Sequence, residues 1–276
     1  MTLPNFLFIG PDKSGSSWLY EILRSHPDVC VTPAKDLYFF DKNFHRGLRW
    51  YEAQFASCRC ESAIGEVAHD YLFSPEACGR IRETLPNVRL IVSLRNPVDR
   101  AFSTYLFLKR HGLTTAPFRE ALATHPEIIT NSLYAAAIER YVHTFGRNHL
   151  HVIRFADIAS SPIAVTGALY RFLDVEATHR PALLRKKILP AARARSVPVA
   201  YAAKQIAVAL RAIGLPAVVG HLKRSTTIQR MLYVPYTSDD YPQLDDEERA
   251  RLTATFSPDI ARLEAILGES YSDLLT

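Results

Sequence analysis

The chain contains no run of about 18 apolar residues, so no segment reads as a membrane-spanning helix. Its first ten residues, MTLPNFLFIG, carry no basic lead-in, and their apolar stretch is too short for a secretory leader; a cytoplasmic protein is expected. There is no internal repeat and no low-complexity linker, which favours one domain over residues 1–276. Cysteine is scarce, with only Cys30, Cys58, Cys60 and Cys78. Cys58 and Cys60 are too close together for a normal zinc pair, and no CxxC partner follows them. Free thiols in a reducing cytosol are expected, in preference to a metal or disulfide role. Excess charge is also small: 33 basic residues face 28 acidic ones, a net +5. Taken as evenly spread, that suits a polyanionic ligand such as a nucleotide and gives no case for nucleic acid.

What is present is an ordinary globular composition, 48% apolar and 22% charged over 276 residues, enough for a well-buried core. Asn5–Gly10, Ile64–Ala68, Val88–Leu94 and His149–Phe155 read as strands. Val88–Leu94 (VRLIVSL) is the strongest, continuously apolar and β-branched, as in a parallel sheet covered on both faces. Helices are predicted over Ser16–Ser25 (with Ser16 or Ser17 as cap), Pro75–Leu85, Val98–Lys109, Asn131–Phe145, Ile163–Leu173 and Asp245–Leu267. Strands alternating with helices predict an α/β fold with a mostly parallel sheet flanked by helices. Residues 176–235, rich in Arg, Lys, Ala and Pro, read as a helical or irregular, lid-like region whose basic residues form a solvated face.

The loop between the first strand and the first helix, Gly10-Pro-Asp-Lys13-Ser14-Gly15-Ser16-Ser17, has the GxxxxG spacing of a phosphate-binding loop. Such a loop turns successive amides toward one point, and the helix N-terminus adds its positive dipole end. Ser16 stands where an ATP-binding loop carries lysine; Lys13 lies before Gly15 instead. No acidic magnesium ligand ends the strongest strand, which runs into Arg95. Arg95 sits at that strand's C-terminal end, where parallel sheets bind ligands, and Ser103 follows two helical turns on. Arg95 and Ser103 suit a second phosphate. Two anion sites at adjacent strand ends imply a nucleotide phosphorylated at both its 5′ and 3′ ends.

Lys13-Ser-Gly-Ser-Ser-Trp18 resembles the 5′-phosphosulfate loop of sulfotransferases, and Arg95–Tyr105 resembles their 3′-phosphate motif. Asp36-Leu-Tyr-Phe-Phe-Asp41 and Gly47–Tyr51 are similar to the segment that bears the catalytic acid in heparan sulfate O- and N-sulfotransferases, and Ser132-Leu-Tyr134 to a helix that completes their nucleotide pocket. The resemblance covers most of the chain except about 176–235. It implies a P-loop-like three-layer fold and 3′-phosphoadenosine 5′-phosphosulfate as donor, without a metal. It implies Lys13 at the leaving phosphosulfate, Ser14, Gly15, Ser16, Ser17 and Trp18 around the 5′-phosphate, and Arg95, Ser103 and Ser132 around the 3′-phosphate. The acceptor is expected to be a small molecule, glycolipid or sugar. Asp36 stands where the heparan-type enzymes have Glu, and His69 is the other candidate base. The family's C-terminal basic loop is missing; Lys223 or Arg224 are candidates to replace it. A P-loop kinase and a non-catalytic nucleotide-binding protein are the competing readings, and the oligomeric state is open.

Overall fold

Strand β4, Arg89–Leu94, alternates its side chains between two buried layers: Leu90, Val92 and Leu94 pack into one apolar cluster and Ile91 into the other. Strand β1, Phe6–Gly10, does the same, with Leu7 and Ile9 on one side and Phe6 and Phe8 on the other. Both faces are apolar because side chains alternate along a strand and helices cover each side. The computed structural model describes residues 2–184, 192–237 and 241–275, apart from the side chains of 212, 216, 223 and 224. The backbone falls into two compact units, one of Met1–Asn96, Leu133–Ile188 and Ser257–Thr276, the other of Pro97–Ser132 and Leu189–Phe256.

The first unit holds a five-stranded sheet, completed by β2 (Val29–Val31), β3 (Ala63–Val67) and β5 (Leu150–Arg154), in the order β2-β3-β1-β4-β5. Every pairing in it is parallel. The expected α/β class is therefore the observed one. β1 is the centre: β3 and β4 flank it, so the segments that leave these three strands start side by side. Helices Ser16–Arg24, Pro75–Thr84, Ala135–Phe145 and Pro162–Leu173 belong to this unit. So do Ile260, Leu263 and Leu267, which enter its core from the last part of the helix Asp246–Leu267.

The second unit holds helices Pro97–Arg110, Val197–Ala212, Pro216–Arg224 and Thr226–Leu232 and an antiparallel pair of short strands, β6 (Ala192–Ala194) and β7 (Tyr233–Pro235). That pair joins two segments within the region read as helical or irregular, the second at its C-terminal end. Arg-flanked alanines carry no strand signal, so only their partner shows them as a strand. Among the described residues no helix is long and apolar enough to cross a membrane.

Three expectations are corrected. The helix predicted over Asn131–Phe145 begins at Ala135, and the Asp259 carboxylate accepts from the amides of Tyr134 and Ala135 at its start. Neither Ser16 nor Ser17 caps the first helix; Gly15 does, with φ 89°, and no side chain accepts from the helix amides there. The four cysteines are not all free: Cys30 on β2 is bridged to Cys58, while Cys60 is exposed and Cys78 buried. The bridge ties the edge strand to the chain that enters β3, a pairing hidden in a sequence whose partners stand 28 positions apart. Closing a loop of this length restricts the unfolded chain by about 3–4 kcal/mol. Reduction, or Cys30→Ala with Cys58→Ala, should lower the unfolding free energy by about that amount in urea titration. An unchanged midpoint with and without reductant would show that the bridge contributes nothing.

Candidate functional site

The loop that leaves β1 is held tightly. A Cβ on Gly10 (φ 131°) would meet the His69 carbonyl oxygen at 2.4 Å, and one on Gly15 would meet Ile158 at 2.8 Å and Phe155 at 3.2 Å. Only glycine fits these two positions, both for the space and for the left-handed backbone. The first intrahelical bond runs from the Leu19 amide to the Gly15 carbonyl at 3.0 Å. The amides of Ser16, Ser17 and Trp18 thus precede the ladder and point out of the helix end. Lys13 also has positive φ, 61°. Its carbonyl accepts from the Arg95 guanidinium at 3.0 Å, so the residue after β4 braces the loop after β1. Arg95 lies over the Phe155 ring at 4.9 Å, and its own carbonyl accepts from the Tyr134 hydroxyl at 2.9 Å.

Ser14 is fully buried and bonds the Asp12 carbonyl at 3.4 Å. The Trp18 indole is buried and donates to the Leu184 carbonyl at 3.2 Å, so its side chain anchors the helix and only its amide faces the loop. Sequence reasoning overlooked Lys35. Its ammonium donates to the Ser16 hydroxyl at 2.9 Å and to the Ser17 hydroxyl at 3.1 Å. With their oxygens accepting from Lys35, both serine hydroxyls keep their own protons to donate to an anion at the helix end. The lone signal for Lys35 was its place beside Asp36.

Asp36 follows β2 on a strap whose amide donates to the Val67 carbonyl at the end of β3, 2.9 Å away. It adopts φ 63° and is 3% exposed. Its Oδ1 lies 2.6 Å from His69 Nδ1. The other ring nitrogen of His69, Nε2, lies 3.2 Å from Asp70 Oδ1 and 3.4 Å from the Tyr38 hydroxyl. Burial alone would lower the His69 pKa. The Asp36 carboxylate, with Asp70 and Asp12 behind it, outweighs burial and holds the imidazole above its ordinary 6.5. The two candidate bases are thus one hydrogen-bonded pair. The His69 side chain is 21% exposed and that of Asp36 only 4%, so His69 is the member that meets the surface.

A family profile for the sulfotransferase domain matches residues 3–192. The chain belongs to this sulfotransferase family. Human heparan sulfate glucosamine 3-O-sulfotransferase 6 is 31% identical over 181 residues, 63% of this chain and 53% of that protein. The membrane-associated sulfotransferase kil1 of Dictyostelium discoideum is 32% identical over 152 residues, 52% of this chain and 32% of that protein. The chain therefore spans about half or less of the length of these curated relatives. A solved sulfotransferase from Alicyclobacillus acidocaldarius superposes over 100% of both chains with a TM-score of 0.73 and 29% identity.

In this chain, Ser103 and Ser132 belong to the second unit. Ser103 is partly exposed on helix Pro97–Arg110. Ser132 is fully buried; it accepts from Arg100 at 2.8 Å and donates to the Ile128 carbonyl at 3.2 Å. Ser132 thus fixes the buried Arg100 within this unit. The side chains of Lys223 and Arg224 lie outside the described residues.

Beneath the strap lies Glu66 of β3, fully buried, which accepts from Tyr51 at 2.8 Å and from Tyr71 at 3.0 Å. The Tyr71 oxygen in turn accepts from the Phe39 amide at 2.8 Å, which fixes the chain just past Asp36. Burial pushes the Glu66 carboxyl up to about 8, against the two tyrosine hydroxyls, with Asp36 and Asp41 adding to the rise. An acid raised in the folded state binds a proton there that the unfolded chain has already released. Its contribution is complete below pH 4.5 and is lost as pH climbs toward 8. Glu66→Gln should therefore match the parent near pH 5 and exceed it by a few kcal/mol near pH 9, read from urea midpoints. Parallel stability profiles for parent and variant would refute the protonated carboxyl.

Proposed function

We propose that the chain transfers the sulfonate of 3′-phosphoadenosine 5′-phosphosulfate to an acceptor hydroxyl, with an amine as the lesser alternative. The observation that carries this reading is the juxtaposition, across neighbouring strand ends, of a cationic anion cradle (Lys13, Lys35 and the uncapped helix after Gly15) with the Asp36–His69 pair. The residues fit a phosphosulfate: loop amides, two serine hydroxyls and the Lys35 ammonium meet at the helix end, Lys13 lies in the same loop, and no acidic side chain caps the helix end. When bound, the donor supplies the sulfonate and a phosphate leaving group. Lys13 and the loop amides stabilise the negative charge that gathers on that phosphate as its bond to sulfur breaks, an interaction stronger in the transition state than before it. Lys35 orients the Ser16 and Ser17 hydroxyls toward the same anion. His69 Nε2 takes the acceptor's proton as the new oxygen–sulfur bond forms, while Asp36 holds Nδ1–H and stabilises the imidazolium. Arg95 serves through its brace on the Lys13 carbonyl and, with the partly exposed Ser103, is read as the 3′-phosphate set.

The acceptor is read as a sugar, glycolipid or small molecule. The relatives named for heparan sulfate glucosamine favour a sugar hydroxyl. A kinase reading lacks a lysine after Gly15. Residues 1–276 are read as one sulfotransferase domain, because the family match runs through parts of both units. The cytoplasmic placement loses its support from cysteine: a Cys30–Cys58 bridge persists in an oxidising compartment, not in a reducing cytosol.

Adenosine 3′,5′-bisphosphate without metal should raise the melting temperature, and ATP with magnesium should not; the reverse result would favour the kinase. Lys13→Ala should lower kcat about 100-fold or more with the fold intact, and Lys35→Met should weaken bisphosphate binding, with partial rescue by Lys35→Arg. Near-normal turnover in Lys13→Ala would refute its role. The acidic limb of kcat/KM should lie above pH 6.5, where neutral His69 becomes available. Asp36→Asn removes the charge that raises His69, so the limb should move to lower pH while kcat drops. A parent limb in the carboxylate range would make Asp36 itself the base.

A further inference from the structure

The net charge of this chain is not evenly spread. From Ala177 to Ser238 there are eleven Lys and Arg residues and no Asp or Glu, so the rest of the chain carries a net −6 against a total of +5. The same stretch concentrates exposed apolar surface. Twelve large hydrophobic residues are exposed among those described, and ten of them lie between Val197 and Met231. Ile206 is 59% exposed, Ile213 70% and Met231 70%. Singly exposed apolar residues need no explanation, but a concentration of this kind marks a contact surface.

Helix Val197–Ala212 shows how the surface is built. Val199, Ala202, Ile206 and Ala209, with Ile213 just past its end, follow one another at spacings of three and four and are all exposed. An ordinary surface helix turns such a stripe inward. Here the stripe runs outward along a helix about 24 Å long. Lys204, by contrast, is half-buried over the Phe107 ring at 5.2 Å. Leu215, Val218 and Leu222 continue the exposed apolar residues in the next helix.

We propose that the face formed by residues 197–231 docks on a lipid surface rich in anionic headgroups, with the aliphatic stripe entering the headgroup boundary and exposed basic residues of the same acid-free stretch, Arg193, Arg195 and Arg230, meeting the phosphates. An apolar helical face set in a strongly basic, acid-free segment is what such a surface binds. A second copy of this chain is the poorer occupant, because its own 197–231 segment would bring five more positive charges and no acidic partner to the same contact. Single-stranded nucleic acid is also the poorer one, since Tyr201 is the lone aromatic among the ten exposed residues and stacking needs aromatic faces. The region expected to be a lid thus presents a docking face.

The test is co-sedimentation of the full chain with large unilamellar vesicles of phosphatidylcholine alone or mixed with phosphatidylglycerol. Binding is expected with the anionic vesicles only, and it should fall when salt is raised from about 0.1 M to about 0.5 M. Ile206→Asp with Ile213→Asp should reduce it about tenfold or more, with the circular dichroism melt unchanged. Should the aspartates perturb folding, Ile206→Ser with Ile213→Ser gives the same readout without added charge. A parent chain that stays in the supernatant with anionic vesicles at low salt overturns the proposal. So does a variant that sediments as the parent does. A dimer in sedimentation velocity that the variant dissolves, without vesicle binding, would assign the face to a second copy.

Discussion

The hydrogen-bond ladder joining β3, β1 and β4 places the loop after β1, the His69 segment and Arg95. Because β1 pairs in parallel with both neighbours, the phosphate loop, the His69 segment and Arg95 all emerge from one edge of the sheet. Parallel strands buried on both faces leave only their ends open to ligand, so function collects there. The strap bearing Lys35 and Asp36 joins the same edge through a backbone bond, Asp36 N–H to the Val67 carbonyl. Gly10 completes the arrangement by allowing the loop to lie against the His69 carbonyl. A side chain there would separate the anion cradle from the candidate base.

Charge is then divided between two neighbouring places. The loop side carries Lys13, Lys35 and Arg95, while the strap side carries Asp36, Asp70 and the buried Glu66. Glu66 escapes a second negative charge beside Asp36 by holding its proton, with a carboxyl at about 8. His69 sits between Asp36 and Asp70 and is held toward its charged form. Adjacent residues of one strap, Lys35 and Asp36, thus touch the helix-end serines and His69 respectively. A shift of that strap moves both together.

Much of this was legible in the residues. The continuous apolar runs marked β1 and β4 because burial on both faces demands them, and GxxxxG between a strand and a helix marked the anion loop. The displaced Lys13 and the position of Arg95 separated this loop from an ATP site. Other features were not legible because they depend on partners distant in the chain. Lys35 reaches Ser16 across 19 positions, and Asp36 reaches His69 across 33. β2 is three residues long and β6 reads ARA; each is a strand only by virtue of its neighbour. The serine cap at 16 or 17 failed because Gly15 turns into the left-handed region and leaves the helix end open.

Taken alone, the sequence determined the alternation of strands and helices, the phosphate loop and the pair of candidate bases, because local periodicity and glycine spacing are properties of neighbouring residues. The basic, acid-free stretch from 177 to 238 was also written there, though a net +5 for the whole chain hid it. Tertiary structure alone decided that Asp36 bonds His69, that Lys35 bonds the Ser16 and Ser17 hydroxyls, that Ser132 meets Arg100 and that Cys30 meets Cys58. It also decided that the stripe around Ile206 points outward. Which side chains touch, and which face is left uncovered, follow from strand order and crossover connections, and local sequence carries neither.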